Sequence, residues 1–442
     1  MKVAVVGTGH VGLVTAVGLT SLGNEVAGMD VSAEKVAALG RGLPPFHEPD
    51  LERLLHDGLV GGRLRFTGSV EDAVAGARVV FICAGRPTEG AGDRSLVAIE
   101  DAARAIARHA DPGVVLVVKS TVPPGTTGRI ATVARLERPS LDLIAASNPE
   151  FLREGHAVQD TLRPDRIVVG CDDPRGHAVL RELYAPLLSD TTLIETDPRT
   201  AELAKLASNA YLATKISFAN ALARVAELAD ADVEGVTEIM GADPRIGSSF
   251  LGAGLGFGGY CLPKDIVTLE RVAERLGYDF GLLRETSRVN EEALAAVVRK
   301  VEEAVWNVEG KTVTLLGLAF KAGTDDVRGS PAMGLAELLH RQGAVIRGCD
   351  TMAATPAGDA LDWLDTSEDP YAAAAGAHCL VLCAAWPRFK ELDLERVRGA
   401  MAQPALVDTR NLILPAEAAA AGFLYFGIGR RGADVGYASA LV

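Results

Sequence analysis

The chain opens with the stretch Val3-Ala-Val-Val-Gly-Thr-Gly-His-Val-Gly12, in which a short apolar run meets three spaced glycines. An apolar run of this length is typical of a strand buried on both faces of a parallel sheet. A helical pattern follows to about Leu22, and a second strand-like run, residues 25–29, ends at Asp30. The order of strand, glycine turn, helix, strand and acid predicts a Rossmann unit that binds a dinucleotide.

The glycines and the acid also indicate which dinucleotide binds. Glycines permit a tight turn and a close approach of the backbone to a pyrophosphate, which lies at the N-terminus of the following helix. Asp30 stands where a carboxylate accepts hydrogen bonds from a ribose diol and repels a phosphate at the 2′ position. The sequence therefore predicts NAD as the cofactor in preference to NADP.

Two further apolar runs, residues 78–83 and 114–118, extend the predicted sheet. Ligands gather at the carboxyl ends of the strands in such a sheet, so the loops after these runs are candidate binding segments. Residues 119–125 contain Ser120 and Thr121, whose hydroxyls either contact a ligand or only shape the turn.

A further polar loop, Asn148-Pro-Glu-Phe-Leu-Arg-Glu-Gly155, follows the apolar run 143–146. Glu150 and Glu154 are four residues apart in it. They are either a solvated helical face or a base and a ligand contact.

A long alanine-rich helical pattern spans about residues 200–230. Glu202, Lys205 and Asn209 fall on one face of that helix. Two interpretations remain open at this point: an inward-facing polar site, or an exposed stripe with an ordinary Glu–Lys pair.

The stretch Leu251-Gly-Ala-Gly-Leu-Gly-Phe-Gly-Gly-Tyr-Cys-Leu-Pro-Lys-Asp265 places one thiol in a glycine-rich loop, near an ammonium and a carboxylate. Such surroundings are typical of a nucleophilic cysteine. The alternative is a flexible linker with an incidental cysteine, although linkers favour Ser and Gly over Phe, Tyr and Leu. Helices are predicted to follow from about residue 263 to residue 306.

The other cysteines suggest no metal site, because none forms a CxxC pair or a zinc-like spacing with histidine. Cys171 is ambiguous, and the remaining four lie in strand-like runs where buried thiols are expected: Cys83, Cys349, Cys379 and Cys383.

The C-terminal third repeats the opening pattern. Residues 311–317 mirror residues 1–7, and a helix, a strand and Asp350 follow in the same order. The repeat predicts a second Rossmann-like domain, but its first loop lacks the G-x-G-x-x-G turn, is longer, and carries Lys321 and Arg328, which suit a phosphate. Together with Arg410, this loop indicates a second nucleotide-type ligand other than NAD, unless the repeat is only a structural duplicate.

Length and charge limit the possible functions. The chain has 442 residues, which is typical of two or three domains. It has 58 acidic against 44 basic residues, and this net charge of −14 argues against a nucleic-acid partner. No apolar run approaches a membrane span and no signal-peptide layout precedes the first strand, so we expect a cytoplasmic protein with no membrane partner.

Taken together, these stretches resemble the UDP-glucose/GDP-mannose dehydrogenase family from residue 1 to about residue 430, most closely its branch that oxidises UDP-glucose. The most specific matches are residues 257–265 and residues 148–155. The resemblance implies an α/β fold with two Rossmann-like, doubly wound parallel-sheet domains joined by a central helical region with a long helix. The implied division is 1–198 for NAD, 199–308 for the helical dimerisation and catalytic part, and 309–442 for the sugar nucleotide.

The resemblance implies a four-electron oxidation of UDP-glucose to UDP-glucuronate by two NAD, through a cysteine thiohemiacetal and a thioester. It also implies a homodimer or a higher homo-oligomer. Cys261 would be the nucleophile, Lys205 would stabilise the oxyanion and Glu150 would be the base for hydrolysis. Asp265 with Thr121 would position water.

The remaining implied roles concern binding, and no metal is implied. With Asn209, the catalytic set is Cys261, Lys205, Glu150, Asp265, Thr121 and Asn209. The implied cofactor contacts are Gly7, Gly9, His10, Val11, Gly12, Asp30, Lys35, Arg86, Ser120, Thr121, Glu154, Lys264 and Arg328. The implied substrate contacts are Glu150, Phe151, Leu152, Arg153, Lys205, Asn209, Arg245, Phe250, Leu251, Phe257, Gly258, Lys321 and Arg410, with Arg245 reaching a neighbouring subunit's substrate.

Two departures from the family pattern and three rival functions are also relevant. Arg86 stands where the family usually has Thr, and Gly329 stands where Glu is common, which would loosen the loop that carries Arg328. One rival is the same chemistry on GDP-mannose or a UDP-N-acetyl-hexosamine. The others are a two-electron dehydrogenase of the 3-hydroxyacid type, which needs no cysteine, and a cofactor-binding sensor without turnover.

Overall fold

A computed structural model describes residues 1–84 and 92–430, with the side chains of residues 92–95 left aside. Arg86 lies outside the described residues. The chain forms two compact units: the first is Met1–Ser208, and the second begins at Asn209.

The first unit is an α/β layer structure built on one sheet. Its described strands are β1 (Lys2–Val6), β2 (Glu25–Met29), β3 (Leu64–Thr67), β4 (Val79–Ile82), β5 (Val114–Val118), β6 (Leu143–Ser147), β7 (Arg166–Cys171) and β8 (Thr192–Thr196). Its described helices are α1 (His10–Ser21), α2 (Ala33–Gly40), α3 (Leu51–Val60), α4 (Val70–Val74), α5 (Gly92–His109), α6 (Thr126–Glu137), α7 (Ala157–Leu162), α8 (Pro174–Tyr184) and the start of α9 (Pro198–Ala229), with a short 3₁₀ turn at Ala185–Leu187.

The strands are ordered β3-β2-β1-β4-β5-β6-β7-β8. The predicted parallel arrangement is confirmed from β3 to β6, with Val3 paired to Val26 on one side and to Val79 on the other. β7 is antiparallel to β6, and β8 then runs parallel to β7. Every strand of the parallel part ends at the same edge, which is where a dinucleotide binds in such a sheet.

Burial on both faces explains why residues 3–6 of β1 are all apolar. Val3 and Val5 pack into one buried cluster with α1 and α3, whereas Ala4 and Val6 pack into another with α4 and α5. Alternate side chains of a strand point to opposite faces, so a sheet covered on both sides has no polar positions along its central strands.

The second unit has a helical part and a second sheet. After the rest of α9, its described helices are α10 (Val233–Gly241), α11 (Cys261–Arg275), α12 (Gly281–Val305), α13 (Pro331–Arg341), α14 (Ala354–Ala360), α15 (Pro370–Ala374), α16 (Pro387–Lys390), α17 (Leu394–Ala400) and α18 (Pro415–Ala420). Its described strands are β9 (Thr312–Leu316), β10 (Val345–Cys349), β11 (Asp365–Ser367), β12 (Cys379–Leu382), β13 (Ala405–Asp408) and β14 (Leu424–Gly427).

The second sheet confirms the predicted second Rossmann-like domain. Its order is β11-β10-β9-β12-β13-β14, and every pair is parallel, so it repeats the order of the first six positions of the first sheet. The predicted long helix is also confirmed as α9. The helical stretch predicted to follow residue 263 is two helices, because α11 stops before Gly277, whose φ is 79°.

No helix within residues 1–84 and 92–430 has both the length and the apolar composition that crossing a membrane requires.

Candidate active site

The turn between β1 and α1 has the geometry that a dinucleotide needs. Gly7 has a φ of 94°, and a Cβ there would stand 2.8 Å from the carbonyl oxygen of Cys83. A Cβ on Gly12 would stand 1.8 Å from the carbonyl oxygen of Gly7, so only glycine allows this contact of helix and strand. No described atom lies within 4 Å of the Cβ position of Gly9, the N-cap of α1, and this leaves room for a pyrophosphate at the helix N-terminus.

Asp30 follows β2 as a hydrogen-bonded, ionised carboxylate. Oδ2 accepts from the N–H of Thr8 (3.1 Å), the hydroxyl of Thr8 (2.9 Å) and the ammonium of Lys35 (2.8 Å), and Oδ1 accepts from the N–H of Ser32 (3.1 Å). Burial alone would raise the pKa of Asp30, but Lys35 and the N–H donors outweigh it and lower the pKa. The Asp30 carboxylate can therefore accept hydrogen bonds from a ribose diol, whereas its charge repels a 2′-phosphate.

Asp350, the corresponding acid of the second sheet, is used differently. It is fully buried, and each of its carboxylate oxygens accepts two backbone N–H groups. The donors are Leu318, Ala319, Met352 and Ala353. This carboxylate ties two loops together and has no exposed oxygen for a ribose, so the second sheet does not copy the dinucleotide site of the first.

Glu48 was not among the residues predicted from the sequence, yet it connects the start of α1 to the segment that precedes α7. It accepts the N–H groups of Gly155 (2.9 Å) and Ala157 (2.6 Å). His10, the first residue of α1, stacks on Phe46 with ring centroids 4.3 Å apart, and its Nε2 lies 3.4 Å from Glu48 Oε2. The partners of Glu48 are distant from it in sequence, and no local sequence pattern predicts these contacts.

Glu150 and Lys205 form a buried ion pair, with Oε1 and Nζ 3.1 Å apart. Glu150 also accepts the N–H of Leu152 at 2.7 Å. Burial would raise the pKa of Glu150, but the Lys205 ammonium and the N–H of Leu152 lower it overall. The ring of Phe151 lies beneath the guanidinium of Arg166 at 3.9 Å and 5.3 Å from Lys205 Nζ.

The polar face of α9 is buried, which decides between the two interpretations of its sequence. Glu202, Lys205 and Asn209 are all largely inaccessible to solvent. Glu202 does not pair with Lys205: it accepts the N–H groups of Gly125 (2.5 Å) and Thr127 (2.7 Å) and the hydroxyl of Thr127 (2.6 Å). Glu202 thus caps the N-terminus of α6, directly after the loop of Thr121, and the inward-facing interpretation is confirmed.

The other predicted contacts in the first unit lie near these groups or on the surface. Ser120 donates its hydroxyl to the carbonyl oxygen of Ala84 at 2.8 Å, and Thr121 beside it is half-buried. Arg153 is exposed and pairs with Asp160 at 2.6 Å, whereas Glu154 is half-buried.

In the second unit, Cys261 is exposed at the first position of α11, and Asp265 lies one turn further along. Asp265 is buried and accepts from Asn209 Nδ2 at 2.6 Å and from Lys264 Nζ at 2.5 Å. Burial would lower the pKa of Lys264, but the Asp265 carboxylate raises it overall, so Lys264 remains an ammonium. A thiol, a carboxylate, an amide and an ammonium therefore gather at the start of one helix.

The glycine loop before α11 is a packed structure, so the linker interpretation is wrong. Gly256 has a φ of 99°, and a Cβ there would meet the side chain of Asn290 at 2.5 Å. Asn290, on α12, accepts the N–H of Phe257 at 2.7 Å and donates to its carbonyl oxygen at 3.1 Å. Both polar groups of the Phe257 backbone are thus held by one amide, which the sequence did not single out.

Gly258 and Gly259 pack against the segment before α13. A Cβ on Gly258 would stand 2.3 Å from the carbonyl oxygen of Gly329, and one on Gly259, whose φ is 76°, would meet the ring of Phe320 at 2.9 Å. The N–H of Gly259 donates to the carbonyl oxygen of Gly329 at 3.1 Å. Gly329, with a φ of 57°, is therefore a fixed point of contact between these two segments.

Arg410 places a cation at the end of β13. Its Nε donates to the carbonyl oxygen of Cys383 at 2.7 Å, and burial lowers its pKa from the ordinary value. A Cβ on Gly254 would stand 2.4 Å from the carbonyl oxygen of Thr409 and 3.2 Å from the Arg410 guanidinium. The glycine loop thus also packs against the carboxyl edge of the second sheet.

Two predicted arginines pair with carboxylates two residues before them. Arg328 holds Asp326 at 2.5 Å, and Arg245, which is 87% exposed, holds Asp243 at 2.6 Å. The remaining predicted contacts of this unit are half-buried Lys321, exposed Phe250, with a φ of 65°, and buried Leu251. In the described part of the chain, no three His, Cys, Asp or Glu side chains are arranged to hold a metal ion.

Comparison with known proteins finds one family along most of the chain. The UDP-glucose/GDP-mannose dehydrogenase family matches in three parts: its NAD binding domain at residues 1–188, its central domain at 199–292 and its UDP binding domain at 314–415.

The chain is also similar to individual proteins of this family in sequence and in structure. A UDP-glucose 6-dehydrogenase of Pseudomonas aeruginosa is 42% identical over 97% of this chain and 98% of its own length. A UDP-glucose dehydrogenase structure from Pyrobaculum islandicum has a TM-score of 0.90 at 39% identity, covering 97% of this chain and 98% of that one. A UDP-D-ManNAc dehydrogenase structure from Pyrococcus horikoshii has a TM-score of 0.86 at 30% identity, covering 97% and 99%.

The cofactor turn fits NAD, and the second sheet, whose acid is closed to a ribose, is the one that matches the UDP binding domain. The chain therefore belongs to the UDP-glucose/GDP-mannose dehydrogenase family and is an NAD-dependent nucleotide-sugar dehydrogenase.

Proposed function

We propose that this enzyme oxidises UDP-glucose to UDP-glucuronate in a four-electron reaction through a covalent intermediate on Cys261. The observation that carries the proposal is the packed glycine loop, which ends in an exposed thiol next to a hydrogen-bonded aspartate. The 42% identical relative from Pseudomonas aeruginosa, a UDP-glucose 6-dehydrogenase, supports the choice of sugar.

NAD, when bound, accepts one hydride in each of the two oxidations. The alcohol carbon of the sugar first loses a hydride and its hydroxyl loses a proton, which gives an aldehyde. The Cys261 thiolate adds to this aldehyde and forms a thiohemiacetal, whose oxidation leaves a thioester. Water then cleaves the C–S bond, which yields the carboxylate and returns the thiol.

The side chains near each step have suitable chemistry. Cys261 begins a long helix, and a helix N-terminus favours a thiolate. Lys205 stabilises the oxyanion of the tetrahedral species, and Glu150, ionised by its lysine partner, takes the proton of the hydrolytic water. Asp265 positions water with Thr121, and Asn209, which donates to Asp265, lies near the reacting carbon.

The proposal includes the contacts predicted for the cofactor and for the substrate. The cofactor contacts centre on the turn of Gly7 and Gly12 and on Asp30, with Lys264 and Arg328 in the second unit. The substrate contacts centre on Phe257, Gly258, Lys321 and Arg410.

We further infer a homodimer formed through α9. This helix exposes Tyr211, Phe218, Val225 and Leu228, of which the first three are spaced seven residues apart on one side. An exposed apolar stripe of this kind is typical of a helix that packs against another chain.

The rival substrates remain distinguishable. The Pyrococcus horikoshii neighbour, at 30% identity, is a UDP-D-ManNAc dehydrogenase. UDP-N-acetyl-hexosamines are therefore tested as substrates together with GDP-mannose. A two-electron 3-hydroxyacid-type reaction would need neither the thiol loop nor the second sheet.

One assay tests the reaction. Purified enzyme is given limiting UDP-glucose, GDP-mannose or a UDP-N-acetyl-hexosamine, with NAD or NADP, and reduced cofactor and sugar acid are counted. We expect two NADH and one uronate per UDP-glucose, and no uronate from a Cys261→Ala variant. One NADH per sugar, or unchanged uronate from Cys261→Ala, would refute the covalent four-electron route, and faster turnover of another sugar would refute the substrate.

A further inference from the structure

Lys119 is a buried lysine to which the proposed reaction gives no role. It directly follows β5, and the residue is only 9% exposed. Its Nζ donates to Oδ1 of Asn148 at 3.0 Å and lies 3.4 Å from the carbonyl oxygen of the same residue. Its Nζ also lies 5.7 Å from the centroid of the Phe81 ring. All these partners are neutral, which is unusual because a buried ammonium is normally paired with a carboxylate.

Asn148 is the residue through which Lys119 reaches the loop of Glu150. Its N–H donates to the carbonyl oxygen of Val118, and its Nδ2 donates to that of Val168 at 2.7 Å. Its Oδ1 accepts the hydroxyl of Tyr184 at 2.6 Å in addition to the Lys119 ammonium. Asn148 is thus held from β5, β7 and α8, and Glu150 stands two residues further along.

The charges around Lys119 single out Glu150. Burial lowers the pKa of Lys119, while the Glu150 carboxylate opposes that shift and the Lys205 ammonium adds to it. Cys83 is a neutral thiol, since burial raises its pKa to about 12, and burial also keeps the phenol of Tyr184 neutral by raising its pKa. The charges that Lys119 meets are therefore those of the Glu150–Lys205 pair.

Lys205 has two tasks that compete in the proposed reaction. It is the ion-pair partner of Glu150, and it is also the group that stabilises a negative oxygen on the substrate. When its charge is shared with that oxygen, Glu150 loses part of the attraction that keeps it ionised. The Lys119 charge also lowers the pKa of Glu150, and it compensates for this loss.

We propose that Lys119 is a positioning residue for Glu150: its ammonium anchors Asn148 at the start of the loop, and its charge keeps the Glu150 carboxylate ionised while Lys205 serves the substrate. This inference rests on the proposed roles of Glu150 and Lys205. It assigns Lys119 no contact with the sugar or with NAD.

The test compares the pH dependence of kcat for uronate formation in three variants. Lys119→Met removes the charge at similar length, and Lys119→Gln keeps a donor toward Asn148 without the charge. Tyr184→Phe removes the other hydrogen bond to Asn148 Oδ1 and leaves every charge in place.

We expect the acidic limb of kcat to move upward by about half a pH unit or more in both Lys119 variants, because removing a nearby positive charge raises the pKa of a carboxylate. At a pH below the limb, each rate is divided by the plateau rate of the same enzyme. This relative rate should then be roughly threefold lower in the Lys119 variants than in the wild type. The limb of Tyr184→Phe should stay at its wild-type position. If Lys119→Met does not fold, Lys119→Gln carries the test.

Two results would overturn the inference. An unmoved limb in the folded Lys119 variants would show that the charge does not act on Glu150. An equal shift in Tyr184→Phe would show that anchoring of Asn148 alone is responsible. A Glu150→Gln variant separates this inference from its basis: if that variant hydrolyses the thioester at the wild-type rate, the proposed role of Glu150 itself fails.

Discussion

Asn290 holds the backbone of the glycine loop through both atoms of its side-chain amide. It accepts the N–H of Phe257 and donates to the carbonyl oxygen of the same residue. Phe257 is 7% exposed, so its backbone groups have little access to water as a substitute. The position of Phe257, a predicted substrate contact, therefore depends on one side chain of α12.

Asn290→Ala should weaken substrate binding. It leaves the Phe257 N–H without its partner, which costs about 1–3 kcal/mol, and we expect KM for UDP-glucose to rise roughly tenfold with a smaller change in kcat. Glu291→Ala, at the exposed neighbouring position of α12, is the control and should leave KM unchanged. Steady-state kinetics measure both variants, and an unchanged KM in Asn290→Ala would show that the loop holds itself.

Asp30 and Lys35 form an ion pair 2.8 Å long, and we propose that this pair sets the preference for NAD over NADP. Asp30→Ala should lower kcat/KM for NAD by about tenfold or more, since a charged hydrogen bond to the ribose is worth about 1.5–3 kcal/mol. It should also raise kcat/KM for NADP, because it leaves the Lys35 ammonium for a 2′-phosphate.

The ratio of kcat/KM values for NAD and NADP measures this effect. Glu34→Ala, at an exposed position of α2, provides the control and should leave the ratio as it is. A wild-type ratio in Asp30→Ala would assign the preference to another residue.

At the scale of elements, the glycines of residues 252–259 have different reasons for being glycine. Gly258 is required by contact, because a Cβ there would meet the carbonyl oxygen of Gly329 at 2.3 Å and Pro331 Cδ at 2.5 Å. Gly252 has no described atom within 4 Å of its Cβ position. The two positions form a matched pair within one loop.

Gly258→Ala should lower the free energy of unfolding by about 1–3 kcal/mol, as an inserted methyl group does in a packed site, whereas Gly252→Ala should change it by less than about 0.5 kcal/mol. Chemical denaturation of the two ligand-free variants measures the difference. Equal stability would mean that the segment around Gly329 yields to the methyl group without cost.

At the scale of the whole molecule, α9 joins the ion pair of Lys205 in the first unit to Asn209, the first residue of the second. A helix hydrogen-bonds within itself, so it can carry polar side chains through a buried region without unsatisfied backbone groups. Its other side exposes the apolar stripe from which we infer a dimer.

The double variant Phe218→Glu, Val225→Glu should convert the dimer to a monomer, because it places charges in the apolar contact and should weaken association by at least about tenfold. Size-exclusion chromatography with light scattering measures the mass. Val60→Glu, at a 74% exposed valine of α3, is the control and should keep the dimer mass. A dimer in the double variant would place the contact elsewhere.

Helices and strands that have a local sequence pattern could be predicted. The strand and glycine turn of residues 3–12, the helix α9 and the second sheet each follow from the spacing of apolar residues and glycines, and the structure confirms them. Glu48, Lys119 and Asn290 were missed because each acts through a partner far away in sequence, such as Gly155 for Glu48. No spacing rule reports such a contact.

The amino-acid pattern alone was enough to recognise two Rossmann-like sheets, NAD as cofactor and a thiol in a glycine loop, because periodicity, turn chemistry and short motifs are local properties of a chain. Whether the polar face of α9 is buried, whether Asp350 can serve a ribose and whether residues 252–259 are a linker or a packed loop depended on folding. Burial and hydrogen-bond partners depend on which residues lie close together in three dimensions. In the folded chain Glu202 caps a helix, and the Asp350 carboxylate is enclosed by backbone N–H donors. Gly258 lies where no side chain fits.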